Sequence, residues 1–279
     1  MLDALPPQDL ALRATISIVA IGTAITSLES LYLQRDFRAG GIFCWRILQT
    51  RSLIEAKGPI ARLLDHLMQG PVFTGLVASE GAAAIGLLFT GSCNACSLAV
   101  LTLIVLSLLI RHSRAPYGLD GSDQMSLLLF VSLWLRSIQP SNPWVGELCL
   151  WFIGLQSCLA YGSAGVAKLF SATWRRGEAV AMITKTECYG LSSFADALER
   201  HPLLSRSITW GVVAFECTFP AALFLGSRGC IIFLSLGLMF HLANAAVMGL
   251  NSFVWSFTAT YPAIAYCSAR VQWTLHRAW

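Results

Sequence analysis

Apolar residues run along this chain in long blocks separated by short polar stretches. A helix needs about 20 mostly apolar residues to cross roughly 30 Å of hydrocarbon. Blocks near 13–33, 72–90, 95–111, 125–139, 146–168, 207–226, 229–249 and 253–269 reach or approach that length. The fourth and the last are short or polar, which fits tilted or re-entrant segments, so the pattern predicts six to eight crossings. Spans of this kind must be helical, because lipid offers backbone groups no hydrogen-bond partner. No barrel-type alternation, internal repeat or low-complexity tract interrupts the pattern. The predicted fold class is all-α: a polytopic membrane helical bundle forming a single integral membrane domain over 1–279.

Two connections are long and basic. The first, 34–71, holds Arg35, Arg38, Arg46, Arg51, Lys57 and Arg62. Within it Ile60, Leu63, Leu64, Leu67 and Met68 fall at helical spacing behind Pro59, a residue suited to a first turn. The second, 169–206, holds Arg175, Arg176, Lys185, Arg200 and Arg206, with Ser193 and Asp196 spaced as a capping box. Interfacial amphipathic helices are therefore expected near 59–69 and 193–200. With eight spans, one side of the membrane receives fourteen Lys and Arg and the other five. Basic loops favour the cytoplasm, so both long loops are expected there and both termini outside.

Composition sharpens the picture. Of 279 residues, 56% are apolar and only 12% charged, about half the charge of a typical soluble domain. The mean hydropathy is +0.64. A water-soluble globule of this size could not hide so much apolar surface, and disordered chains are poor in apolar residues. A net charge of +4 leaves no nucleic-acid footprint. The first ten residues hold Asp3 and Asp9 but no basic residue, so no removable leader is expected. The nine cysteines show no secreted disulfide pattern.

Ionisable residues inside spans are costly and tend to be functional. Glu29, Glu80, Lys168, Glu216 and His241 fall in or at the ends of the apolar blocks. Lys168 closes the run Tyr161-Gly-Ser-Ala-Gly-Val-Ala-Lys168, whose small residues let a neighbouring helix or ligand approach. It reads either as a base in a dry site or as a lysine snorkelling to the headgroups. Glu216 precedes Pro220, which removes the hydrogen bond its N–H would give to the Glu216 carbonyl. An acid at such a kink either lines a cavity or ties two helices together. His241 shares a helical face with Asn244 and admits the same two readings. Asp120 and Asp123 flank a Gly-Ser pair in a loop that reads as a turn. That loop has too few oxygen ligands for a cation, and no metal site is expected. Cys93 and Cys96 form a C-x-x-C between two spans, which suits either thiol exchange or a tight interhelical turn.

Taken together, these segments resemble the horizontally transferred transmembrane domain family, which includes the vitamin K-dependent gamma-carboxylase. The resemblance rests on Ala164-Gly-Val-Ala-Lys168-Leu169 followed by Trp174 and Gly177. It continues in Glu216 with Pro220, and in His241-Leu-Ala-Asn244 with Gly249 and Phe253. The Asp120–Asp123 loop, the short length and the stretch from Phe37-Arg38 to Trp45 look most like the sporulation-delaying protein B subgroup. The similarity covers roughly 10–265 and lies in the order and spacing of several motifs. It implies that Lys168 is the base that deprotonates a vitamin K-like quinol, with His241 an acid or hydrogen-bond stabiliser and Glu216 tuning either. Asn244, Tyr161, Trp174, Asp120 and Asp123 would line the substrate or cofactor cavity. It also implies a secreted peptide as substrate, a small soluble partner protein, and residence in the bacterial plasma membrane. Two other readings stand beside this one: a non-catalytic scaffold, export or immunity component, and a quinone-linked thiol oxidoreductase using Cys93 and Cys96.

Overall fold

The computed structural model describes residues 8–38, 40–51, 58–90, 95–115, 120–187 and 189–278. Every regular element among them is helical. The chain divides into two compact units, and the division falls inside two long helices.

The first unit, Leu12–Cys149, carries most of α1 (Gln8–Tyr32), then α2 (Trp45–Leu48), α3 (Pro59–Met68), α4 (Gly70–Leu87), α5 (Ala95–Arg114) and α6 (Gly121–Ile138). A 3₁₀ turn, Gln34–Phe37, follows α1. The helix α5 packs against both α4 and α6. Pro59 opens α3 directly after Gly58, whose φ of 108° is open to glycine. Glu80 of α4 is fully buried; Arg111 donates to one of its oxygens at 2.6 Å and Ser107 to the other at 2.5 Å.

The second unit, residues 1–11 with Leu150–Trp279, carries most of α7 (Pro143–Phe170), then α8 (Ala172–Arg176), α9 (Ala179–Thr184), α10 (Ser192–Arg200), α11 (Pro202–Thr218), α12 (Gly226–Met248), α13 (Asn251–Thr258) and α14 (Tyr261–Ala278). A 3₁₀ segment, Phe219–Leu223, follows α11, where the expected span 207–226 runs on. Pro220 has no N–H to continue the α-helical ladder, so the backbone tightens there. The expected span 253–269 is likewise divided, α13 ending at Thr258 and α14 starting at Tyr261. Pro262 sits in the first turn of α14, where a missing N–H costs nothing.

Among the described residues, five helices are long and apolar enough to cross a membrane: α1, α4, α5, α7 and α12. Short helices occupy both places where amphipathic ones were expected. The helix α10 starts one residue earlier than its pattern suggested, with Leu191 as N-cap and no side-chain capping bond. Ser193 therefore lies within its first turn rather than capping it.

Candidate functional site

The small-residue end of α7 is where the second unit gathers its polar side chains. A Cβ on Gly165 would lie 2.6 Å from the backbone nitrogen of Cys217, so α7 and α11 touch backbone to backbone there. That approach, one residue from Glu216 and one turn from Lys168, brings the two ionisable groups together. Lys168 Nζ donates to both oxygens of Glu216, at 2.8 and 2.5 Å. The glutamate side chain is 5% exposed and the lysine 21%. Breaking such a pair by removing one partner leaves an uncompensated buried charge.

Beyond Lys168 the chain turns at Ser171 and re-enters helix as α8. The turn carries Trp174 back, so that its ring centroid lies 5.0 Å from Lys168 Nζ. A cation over an indole face is attracted by the ring's electron distribution. Gly177 ends α8 in the left-handed conformation, with φ of 80°. Its carbonyl accepts hydrogen bonds from Ser205 at 3.1 Å and Thr209 at 3.3 Å, which docks α8 onto α11. Lysine, tryptophan and glycine thus form one local device.

Two helical turns back along α7, about 10 Å at 1.5 Å per residue, a second polar cluster lies in an aromatic shell. Tyr161 Oη is 2.6 Å from His241 Nε2 and 3.2 Å from Tyr261 Oη. The Tyr161 ring stacks on Phe219 at 3.8 Å and meets Phe215 and Phe257 edge-on. His241 stacks on Phe257 at 4.8 Å and on Phe253 at 6.2 Å. Its Nδ1 is buried with no hydrogen-bond partner among the described residues. Gly237, one turn before His241 on α12, leaves room for the Tyr261 hydroxyl, which a Cβ at that position would strike.

The structure therefore joins Lys168, Glu216 and Trp174 directly, and joins Tyr161 to His241 at another level of α7. Asn244 lies one turn beyond His241 and is half-buried. Gly249 ends α12 with φ of 71° and so precedes Phe253, the ring stacked on His241. Asp120 and Asp123 belong to the other unit. Asp120 caps α6 by accepting from the backbone N–H of Ser122 at 2.8 Å and of Asp123 at 3.0 Å. Burial, and then the neighbouring Asp120, push the Asp123 carboxyl above the usual carboxylate range. Cys96 is exposed in the first turn of α5, and Cys93 lies outside the described residues. Among the described residues no group of three or more His, Cys, Asp or Glu is placed to hold a metal.

Sequence reasoning missed Tyr261, because a tyrosine beside a proline in an apolar run carries no polar signal of its own. It marked Glu80 as a costly residue but not its partner Arg111, which sits 31 residues away.

The fold and these two clusters define a class: an all-helical protein with five helices suited to a bilayer and buried ionisable groups among its helices. In comparisons with known proteins, no family model, no curated protein and no solved structure matches the chain.

Proposed function

We propose that this protein is a carboxylase-like maturation factor for a secreted peptide, embedded in the bacterial plasma membrane, with Lys168 as its base. The observation that carries the reading is the contact of Lys168 with both oxygens of Glu216 beneath the Trp174 ring. Lipid-embedded ionisable groups are expensive to keep. Here an amine, an acid and an indole are held at one point by a glycine contact between two helices. To act as the base, Lys168 would first pass its proton to the adjacent Glu216 carboxylate and then, as the free amine, accept one from an acidic O–H. Trp174 adds a further contact available only to the cation.

A quinol is the cofactor that suits this chemistry, because it supplies an acidic O–H and reducing electrons in a lipid-soluble ring. The residues fit such a group at the second cluster. His241 Nδ1 is a buried hydrogen-bonding atom without a partner among the described residues, and Phe253 and Phe257 offer ring faces beside it. His241 would orient an oxygen of the ring through Nδ1, while Tyr161, whose hydroxyl is also in contact with that of Tyr261, fixes the imidazole through Nε2.

In this reading six to eight segments cross the bilayer, the five long helices among them. The amphipathic helices α3 and α10 lie in the cytoplasmic interface. The test is co-expression with a short secreted peptide encoded beside the gene, followed by mass analysis of the exported peptide. A mature mass that requires this protein supports the proposal. An unchanged peptide, with host cells protected from it, would instead make the protein an immunity factor.

A further inference from the structure

The described residues between α1 and α4, 33–38, 40–51 and 58–69, form a plate at one end of the first unit. The C-terminus of α1, the N-terminus of α4 and the C-terminus of α5 all end beside it. Phe37, in the 3₁₀ turn after α1, packs edge-on against Phe73 of α4, with ring centroids 5.2 Å apart. A Cβ on Gly70 would lie 2.6 Å from the Phe37 carbonyl, so the turn rests directly on the start of α4. Arg114, from the last turn of α5, lies over Phe73 at 4.0 Å and Phe37 at 4.9 Å and donates to the Phe43 carbonyl at 2.8 Å. Trp45 donates its indole N–H to Asp65 at 2.6 Å, which ties α2 to α3. Trp45, Leu48 and Met68 form a small core against Ile110. The plate is thus fastened to three helix ends on its inner side.

Its exposed side chains are unusual for a surface facing water. Ile42, Phe43, Ile47 and Leu63 are all exposed, Ile42 at 71%. Arg35, Arg38, Arg46 and Arg62 are exposed among them, and Arg46–Ile47 and Arg62–Leu63 are direct neighbours. None of these four arginines forms an ion pair among the described residues. The described acids of the segment are Asp36, which is half-buried, and Asp65, which holds Trp45. Apolar side chains beside guanidinium groups that form no ion pair among the described residues, next to the ends of apolar helices, match the acyl–headgroup boundary of a bilayer. Arginine presents a fork of donors that fits phosphate.

We propose that the described part of this plate, residues 33–38, 40–51 and 58–69, is a binding surface for anionic phospholipid headgroups. The proposal rests on the membrane placement of α1, α4 and α5 and is independent of the maturation chemistry. The apolar side chains enter the boundary, and the four arginines gather phosphate around them.

The test uses the full chain in mild detergent with equimolar phosphatidylglycerol and phosphatidylcholine, counting retained lipids by native mass spectrometry. Each basic residue near a charged surface is worth about a fivefold change in partitioning. Wild type should therefore retain phosphatidylglycerol at least about fivefold over phosphatidylcholine. Arg35→Gln, Arg38→Gln, Arg46→Gln and Arg62→Gln together should erase the preference. Equal retention by wild type, or a preference that survives the fourfold change, overturns the proposal. If the fourfold variant does not fold, Arg46→Gln and Arg62→Gln are made singly, and no fall in preference for either has the same meaning. Excess inorganic phosphate should leave the bound lipid in place. Displacement by phosphate would show a simple anion site and overturn the lipid assignment. Neither result bears on whether Lys168 acts as a base.

Discussion

A carboxylate buried without its cation is among the most unfavourable groups a protein interior can hold. Lys168→Met would leave Glu216 in that condition, at 5% exposure and without either of its contacts to Nζ. The expected loss is about 3 kcal/mol, measured as equilibrium unfolding in mixed micelles. Adding Glu216→Leu should recover most of it, since an apolar pair of similar volume replaces both charges. If the double variant is no more stable than the single, the pair is not coupled as described. Tyr161→Phe probes the second cluster. It removes the partner of His241 Nε2 and should cost about 1–3 kcal/mol. Tyr261→Phe should cost less, because Tyr161 keeps its shorter bond to the histidine.

Helix packing at one glycine decides whether the ionisable pair forms at all. Gly165→Leu must push α7 away from the Cys217 backbone and should destabilise by about 1–3 kcal/mol. Gly86, in α4, has nothing within contact range of an added methyl. Gly86→Ala should therefore leave stability unchanged or raise it by up to about 0.5 kcal/mol, since Gly86 lies in the last turn of the helix. Thermal unfolding of both variants in one detergent gives the comparison, and equal behaviour would contradict the packing account. Much at this scale was legible in the pattern of residues. The blocks that became α1, α4, α5, α7 and α12 are long enough that only a helix could bury them. The breaks after Thr218 and Thr258 were less legible, because the residues on either side remain apolar and hydropathy alone does not register a change of ladder. Pro220 predicts a kink, and the structure turns that kink into a 3₁₀ segment.

At the scale of the whole molecule, what the sequence could not disclose was partnership. Lys168 and Glu216 each stood out as costly, but 48 residues separate them and no periodicity links two different helices. His241 stood out too, yet its connection to Tyr161 spans 80 residues and that to Tyr261 runs through a hydroxyl that hydropathy ignores. The thiol pair belongs to this scale as well, since it separates two accounts of the entire protein. Cys93→Ser with Cys96→Ser should leave peptide maturation intact. A folded, membrane-inserted double variant without activity would move the thiol oxidoreductase account ahead of the lysine. The most direct measurement of the lysine's role is Lys168→Arg. Arginine keeps the positive charge and can still meet Glu216, but its guanidinium does not give up a proton under ordinary conditions. The variant should accumulate in the membrane at wild-type level and yield no mature peptide by mass spectrometry. If it accumulates and the peptide matures normally, Lys168 is a structural cation and the base assignment is wrong.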